Sequence, residues 1–187
     1  ENENYSEYIL SKVDPDFISG SKFNLTEMDA DQRSLLGLFL ANQYPVEIPG
    51  VALTNYLRLI YNSRYPKEEQ LSVFKFKSLL EEKASLINYP LHLLSRNLNE
   101  GFSGGEKKKT EILQMLILEP RYVLLDEIDS GLDRNSVKEV FEGLAKYKAS
   151  NSNSALVIIT HYDRALEFLR PNFIHEMSSG NLINSNT

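Results

Sequence analysis

Two short elements constrain this chain more than anything else in it. One is Gly101-Phe102-Ser103-Gly104-Gly105-Glu106, a glycine-rich turn that opens a helix, and the other is Tyr122-Val123-Leu124-Leu125-Asp126-Glu127, an apolar strand that ends in adjacent carboxylates. Adjacent glycines let backbone amides approach a ligand closely, the serine offers a hydroxyl, and the helix turns its positive end toward whatever lies above. That geometry suits a phosphate. The strand delivers two adjacent carboxylates to the end of a sheet, where they repel each other unless one of them faces a cation. Each element alone has a plainer explanation, a serine-capped helix or a strand ending in a solvated acidic turn. Lys107, Lys108 and Lys109 are cations at the wrong end of a helix dipole, so they are expected to meet an anion or an acidic partner.

The 187 residues, 42% of them apolar, suffice for one domain or a domain with a subdomain. A net charge of −6 gives no footprint for nucleic acid, which is not expected as a partner. The absence of cysteine excludes a disulfide framework, a zinc knuckle and any thiolate ligand, so a metal must be held through oxygen or imidazole. No apolar run approaches the roughly 18 residues of a membrane span, and Glu1-Asn2-Glu3-Asn4 lacks the basic and apolar regions of a signal peptide.

Residues 1 to about 34 are polar and broken by Asp14-Pro15-Asp16 and Ser19-Gly20-Ser21, and only a short strand or turn is expected there. The run from Leu35 to Ala41 predicts a buried strand that enters a stiff, proline-containing loop, Gln43 to Gly50. From Val51 to Leu98 the period becomes helical, as in Leu53, Tyr56, Leu57 and Ile60 or Phe76, Leu79, Leu80, Lys83 and Leu86. Ile112, Leu113, Leu116 and Ile117 make a stripe on a helix that stops before Pro120, and Asp133 is placed to cap a helix whose inner face is Val137, Val140, Phe141 and Leu144. Ala155 to Ile159 is apolar on both faces, the pattern of a central parallel strand, and strand-helix-strand order predicts an α/β sheet with a right-handed crossover. Phe173 to Ile183 predicts a closing hairpin. Gln43 and His161 each follow an apolar strand, where ligands collect in parallel sheets, but alone a loop amide and a lone histidine are more often structural. His92 and His175 have no supporting context.

The linear order decides between these alternatives. A glutamine loop, a helical segment, SGGE, a strand with DE, an SGLD turn and a strand followed by histidine together resemble the ATP-binding-cassette family. Within it, Gln43-Tyr44-Pro45-Val46-Glu47-Ile48-Pro49-Gly50-Val51, the run Gly101 to Lys109, Asp126 to Asp133 and Thr160-His161-Tyr162 resemble the SufC ATPases of the SUF iron-sulphur cluster machinery over residues 20–185. The resemblance implies an α/β P-loop NTPase-like core with a mostly parallel sheet and a helical subdomain. It divides the chain into residues 1–50, partial strands and the glutamine loop; 51–118, the helical subdomain with the signature; and 119–187, the C-terminal part of the core. It implies ATP hydrolysis with Mg2+, with Asp126 serving the metal, Glu127 as catalytic carboxylate, Gln43 sensing metal and water, and His161 contacting the γ-phosphate. Ser103, Gly104, Gly105 and Glu106 would meet nucleotide held by a second such subunit, with Asp133 at that interface. The loop after Gln43 and the helical subdomain would dock SufB-like and SufD-like scaffolds.

No GxxxxGK[ST] phosphate loop occurs in the sequence. The chain is therefore expected to be the C-terminal portion of a longer protein, with sheet edges left uncovered. Taken literally, such a chain could serve as a docking module that does not bind ATP. Chromosome-maintenance ATPases share the glycine signature and the DE strand, but they require long heptad repeats that this chain lacks. The QYPVEIPGV loop also argues against the ATPase of a membrane transporter. A SUF system implies bacterial cytoplasm or plastid stroma, and the abundance of asparagine, lysine and tyrosine leans toward an apicomplexan plastid.

Overall fold

A computed structural model describes residues 3–19, 22–161 and 165–186. The Gly20-Ser21 pair and Tyr162 lie outside them. In chain order come α1 (Glu3–Leu10), β1 (Ile18–Ser19), β2 (Lys22–Phe23), α2 (Ala30–Leu35), β3 (Leu38–Ala41), α3 (Leu53–Asn62), α4 (Val73–Ser85) and α5 (Gly104–Leu118). They are followed by β4 (Tyr122–Asp126), α6 (Arg134–Ser150), β5 (Ala155–Ile159), α7 (Ala165–Leu169), β6 (Ile174–Ser178) and β7 (Asn181–Asn186).

The centre is a parallel sheet in the order β3-β4-β5, in which Leu40, Leu124 and Val157 lie abreast. Because side chains alternate across a strand, Ala41, Val123 and Leu125 face one way and are buried with Ile112, Leu113, Leu116, Val140 and Phe141 from α5 and α6. The other face, Leu40, Tyr122, Leu124, Val157 and Ile159, is apolar and open to solvent. β6 and β7 form the expected antiparallel hairpin, joined through Ser179 and Gly180, both at positive φ.

Local chemistry sets the helix ends. In α5 the Ser103 hydroxyl accepts the Glu106 amide and the Glu106 carboxylate accepts the Ser103 amide at 2.7 Å, a complete capping box. Its other end closes on Glu119 in the left-handed conformation, and Pro120 prevents continuation. The Asp133 carboxylate caps α6 by accepting the amides of Asn135 at 2.9 Å and Ser136 at 3.1 Å. Gly143 lets α6 pass close to the turn after α4, since a Cβ there would come 2.4 Å from the Ile87 Cγ2.

Several expectations are corrected. The first 34 residues hold two helices, α1 and α2, as well as the short β1-β2 pair. Among the residues there whose burial is described, the buried apolar anchors are Ile9, Val13 and Met28, too widely spaced to produce a visible period. The strand expected from Leu35 begins only at Leu38, because Leu35 ends α2 and Gly37 turns at φ 87°, and of its residues only Ala41 is fully buried. The middle strand is β4, not β5: among the described residues β5 pairs on one side only, and Val157 and Ile159 are 57% and 54% exposed.

Candidate functional site

Parallel strands in register bring their carboxyl ends to one edge, and that edge gathers Gln43, Asp126, Glu127 and His161. Gln43 lies just past β3, Glu127 directly follows β4, and His161 lies just past β5. Gln43 Nε2 donates to Glu127 Oε2 at 2.5 Å, while His161 Nε2 stands 2.9 Å from Glu127 Oε1. Both carboxylate oxygens are thus held. The Gln43 hydrogen bond and then the His161 contact keep the Glu127 carboxyl below its ordinary 4.5, so it is ionised at neutral pH. The His161 ring is 82% exposed and reaches Glu127 from the solvent side.

The Glu127 backbone is also constrained. Its φ of 47° is unusual for a residue with a side chain, and its amide donates to the Ile159 carbonyl at 3.0 Å, extending the β4-β5 ladder by one step. Its carbonyl accepts from the Lys108 ammonium, which rises from the buried side of α5. Burial lowers the affinity of Lys108 for its proton, and the negative charges of Asp129, Glu127 and Asp126 oppose that effect. Lys108 thus adds a positive charge beside the carboxylates at the end of β4.

All three lysines after the glycine turn, expected to meet an anion or an acidic partner, find partners inside the chain, and two of these are carboxylates. Lys107 pairs with Glu47 at 2.6 Å, Lys109 with Glu139 at 2.7 Å, and Lys108 with the Glu127 carbonyl. The only sequence signal for Lys108 is its position one turn into a helix that must pack on the DE strand.

Ser103 and Gly104, exposed, and Gly105 and Glu106, half-buried, form the start of α5 and make no hydrogen bond or ion pair with Gln43, Asp126, Glu127 or His161 among the described residues. The Glu106 carboxylate is turned onto its own helix, and backbone and hydroxyl bonds from Ser103 lower its proton affinity. A Cβ at Gly105 would come 3.1 Å from Leu132, so the signature turn lies against the SGLD turn and near Asp133. The described residues contain no cluster of three or more His, Asp or Glu that could hold a metal. Asp126 at the end of β4 and the side-chain carbonyl of Gln43 just past β3 are oxygen donors at the same edge of the sheet. This hard-oxygen donor set fits Mg2+, which takes one or two protein ligands and completes its shell with phosphate and water.

Glu111, on α5, carries a second perturbed carboxyl. Burial pushes it up to about 7, against the Gln114 side chain and the Asn42 backbone amide, which stabilise its charge. Since this exceeds the ordinary 4.5, the folded state binds a proton more tightly than the unfolded chain, and stability falls as pH rises from about 4.5 to about 7. Glu111→Gln in the intact protein should flatten that slope. In urea titrations we expect a gain of about 1–2 kcal/mol over the parent at pH 8 and little difference at pH 4.5.

No family model matches the chain. The probable ATP-dependent transporter slr0075 of Synechocystis is 44% identical over 187 residues, covering 94% of this chain and 72% of that protein. The chain belongs to the ATP-binding-cassette ATPase family. A second cassette, the probable ATP-dependent transporter ycf16 of Trieres chinensis, is 43% identical over 166 residues, and this chain spans 65% of its length. The ycf16 protein of Cyanophora paradoxa is 44% identical, with 62% of its length spanned. The fold agrees: the dimeric post-hydrolysis structure of the cassette MJ0796 with ADP and Pi superposes with a TM-score of 0.72 at 18% identity, covering 91% of this chain and 71% of that one. The cassette core is thus an α/β parallel sheet with helices packed on one of its faces among the described residues.

Proposed function

We propose that this cassette chain is part of a SufC-like ATPase that couples ATP hydrolysis to iron-sulphur cluster assembly on a SufB/SufD-type scaffold. The observation that carries the proposal is the Glu127 carboxylate held between Gln43 and His161 at the ends of adjacent parallel strands. Glu127 accepts a hydrogen bond from the attacking water and sets its line of approach. Because its proton affinity is lowered, it contributes more by orientation than by strength as a base. Gln43 fixes one carboxylate oxygen, and His161 bridges the other to the γ-phosphate. Asp126 and the Gln43 carbonyl would hold Mg2+, which would supply charge neutralisation for the phosphates. Ser103, Gly104 and Gly105, with Glu106 holding the turn, face nucleotide bound by a second subunit, and Asp133 lies at that junction. Residues 1–50, 51–118 and 119–187 correspond to the glutamine-loop part of the core, the helical subdomain with the signature, and the remainder of the core.

The phosphate loop is proposed to come from residues outside this sequence, in keeping with the share of its relatives' length that the chain spans and with the open apolar face of the sheet. The intact protein should release phosphate from Mg-ATP, whereas the 187-residue chain alone should not. Phosphate release by the intact protein that is no faster than background overturns the proposal.

The scaffold-docking part rests on the loop after Gln43. Its backbone is tied down by Asn99 Nδ2 donating to the Val46 carbonyl at 2.8 Å and the Ile48 amide donating to Leu98 at 3.0 Å, yet Tyr44, Val46, Ile48 and Val51 are exposed. A rigid apolar loop on the surface marks an interaction site. Val46→Asp should weaken capture of a SufB-like scaffold about tenfold without lowering the melting temperature, since Val46 is 72% exposed. Undiminished capture removes this surface from the account. This docking surface needs no nucleotide, and so a chain without its phosphate loop could still act as a docking module. No helix among the described residues is long and apolar enough to cross a membrane. Bacterial cytoplasm or plastid stroma is the proposed setting.

A further inference from the structure

Asp129, in the turn that follows Glu127, is the one buried carboxylate among the described residues, 4% exposed. The turn is closed by the Ser130 amide donating to the Glu127 carbonyl at 3.1 Å and the Leu132 amide donating to the Asp129 carbonyl at 3.3 Å. The Asp129 side chain reaches across to the next strand, where Oδ2 accepts the hydroxyl of Thr160, the first residue after β5. Thr160 is half-buried, and the exposed His161 ring follows it directly. The negative charge of Asp129 is also felt at the Lys108 ammonium.

These contacts close a ring. Glu127 connects through the backbone to Asp129, Asp129 through a hydrogen bond to Thr160, Thr160 through the backbone to His161, and His161 back to Glu127. A mostly exposed ring has little packing of its own to aim it, so its direction is set by the backbone from which it hangs. A buried carboxylate is costly unless it is paired and hydrogen-bonded, and an apolar side chain would fill this position at lower cost if packing were its only role.

We propose that Asp129 is a positioning residue for His161, acting through the Thr160 hydroxyl. The proposal rests on the ATPase function above and deepens it. Asp129 and Thr160 act by fixing the backbone from which His161 reaches Glu127. Small displacements of a reacting group cost rate without costing affinity, so the signature is a loss in kcat with KM preserved.

The test uses the intact protein with Mg-ATP. Thr160→Val, which replaces the hydroxyl by a methyl, should lower kcat about tenfold with KM for ATP changed less than about twofold. It should also move the His161 ring resonance, assigned by its loss in His161→Ala, toward the position of an unstructured histidine. Thr160→Ser keeps the hydroxyl and should remain within about threefold of the parent kcat, with the resonance in place. Should Thr160→Val fail to fold, Thr160→Ala removes the same hydroxyl without adding a methyl and carries the same expectations. An unchanged kcat and resonance in the variants without the hydroxyl overturns the proposal, as does a Thr160→Ser as impaired as Thr160→Val, which assigns the residue to packing. Glu127→Gln, measured beside them, separates the two levels. If it turns over like the parent, the ATPase reading fails; if it is inactive while the hydroxyl variants are normal, only the positioning role is lost.

Discussion

Glu127→Gln in the intact protein should lower ATP turnover by a factor of about 10³ while ATP still binds within a few-fold of the parent, a loss within the range for removing a catalytic acid or base. The substitution keeps the side-chain shape, so backbone strain and packing are preserved. What changes is the hydrogen bonding. Gln43 Nε2 and His161 both approach a carboxylate that can only accept. An amide at this position must give its oxygen to Gln43 and its NH2 to His161, which then has to accept through Nε2, so the tautomer that donates to the Glu127 carboxylate is lost. The amide also orients water less well and takes no proton. Phosphate release measured with excess Mg-ATP checks the rate, and equilibrium binding of ATP checks that the site survives. A loss smaller than about tenfold would remove Glu127 from the reaction.

The second large effect is structural. Phe141→Ala should cost about 3–5 kcal/mol in denaturant titration of the intact protein, a large share of the stability of an ordinary domain. Phe141 is fully buried on the inner face of α6, among the largest side chains of the core, and its ring stacks on Phe168 of α7 with centroids 6.3 Å apart. The cavity would lie between the helix that connects β4 to β5 and the helix that follows His161. Phe74→Ala, at an exposed position on α4, should cost less than about 0.5 kcal/mol and serves as the control for aromatic content. Equal losses at the two positions would mean that the core is not organised around α6.

Much of this architecture is legible in the sequence wherever local chemistry and periodicity agree. Ser103 with Glu106, Asp133 and Pro120 announce the ends of α5 and α6, and the spacing of Val137, Val140, Phe141 and Leu144 announces the buried face. The carboxyl ends of apolar strands also announce where Gln43, Glu127 and His161 lie, because parallel strands have only one edge at which to deliver them. What the sequence hides is set by distant neighbours. In α1 the buried apolar residue among those described is Ile9, and one anchor sets no period. β5 is apolar on both faces, yet only the face toward α6 is covered, since a residue's type does not state what lies above it. Lys108 looks like one of three solvent-facing lysines until the fold lays α5 across the end of β4. The capture of both Glu127 oxygens, and the Asp129-Thr160 bond behind them, join residues on different strands and have no local signature.

The central claim is that Glu127 acts on nucleotide enclosed between two cassette subunits, with Ser103, Gly104 and Gly105 of one closing the site of the other. It is tested most directly by the mass of intact Glu127→Gln protein in analytical ultracentrifugation, with Mg-ATP and with Mg-ADP. A subunit that binds ATP but cannot hydrolyse it should accumulate in the closed state, at twice the protomer mass with Mg-ATP and at the protomer mass with Mg-ADP. The same mass in both, with ATP bound, would contradict the account.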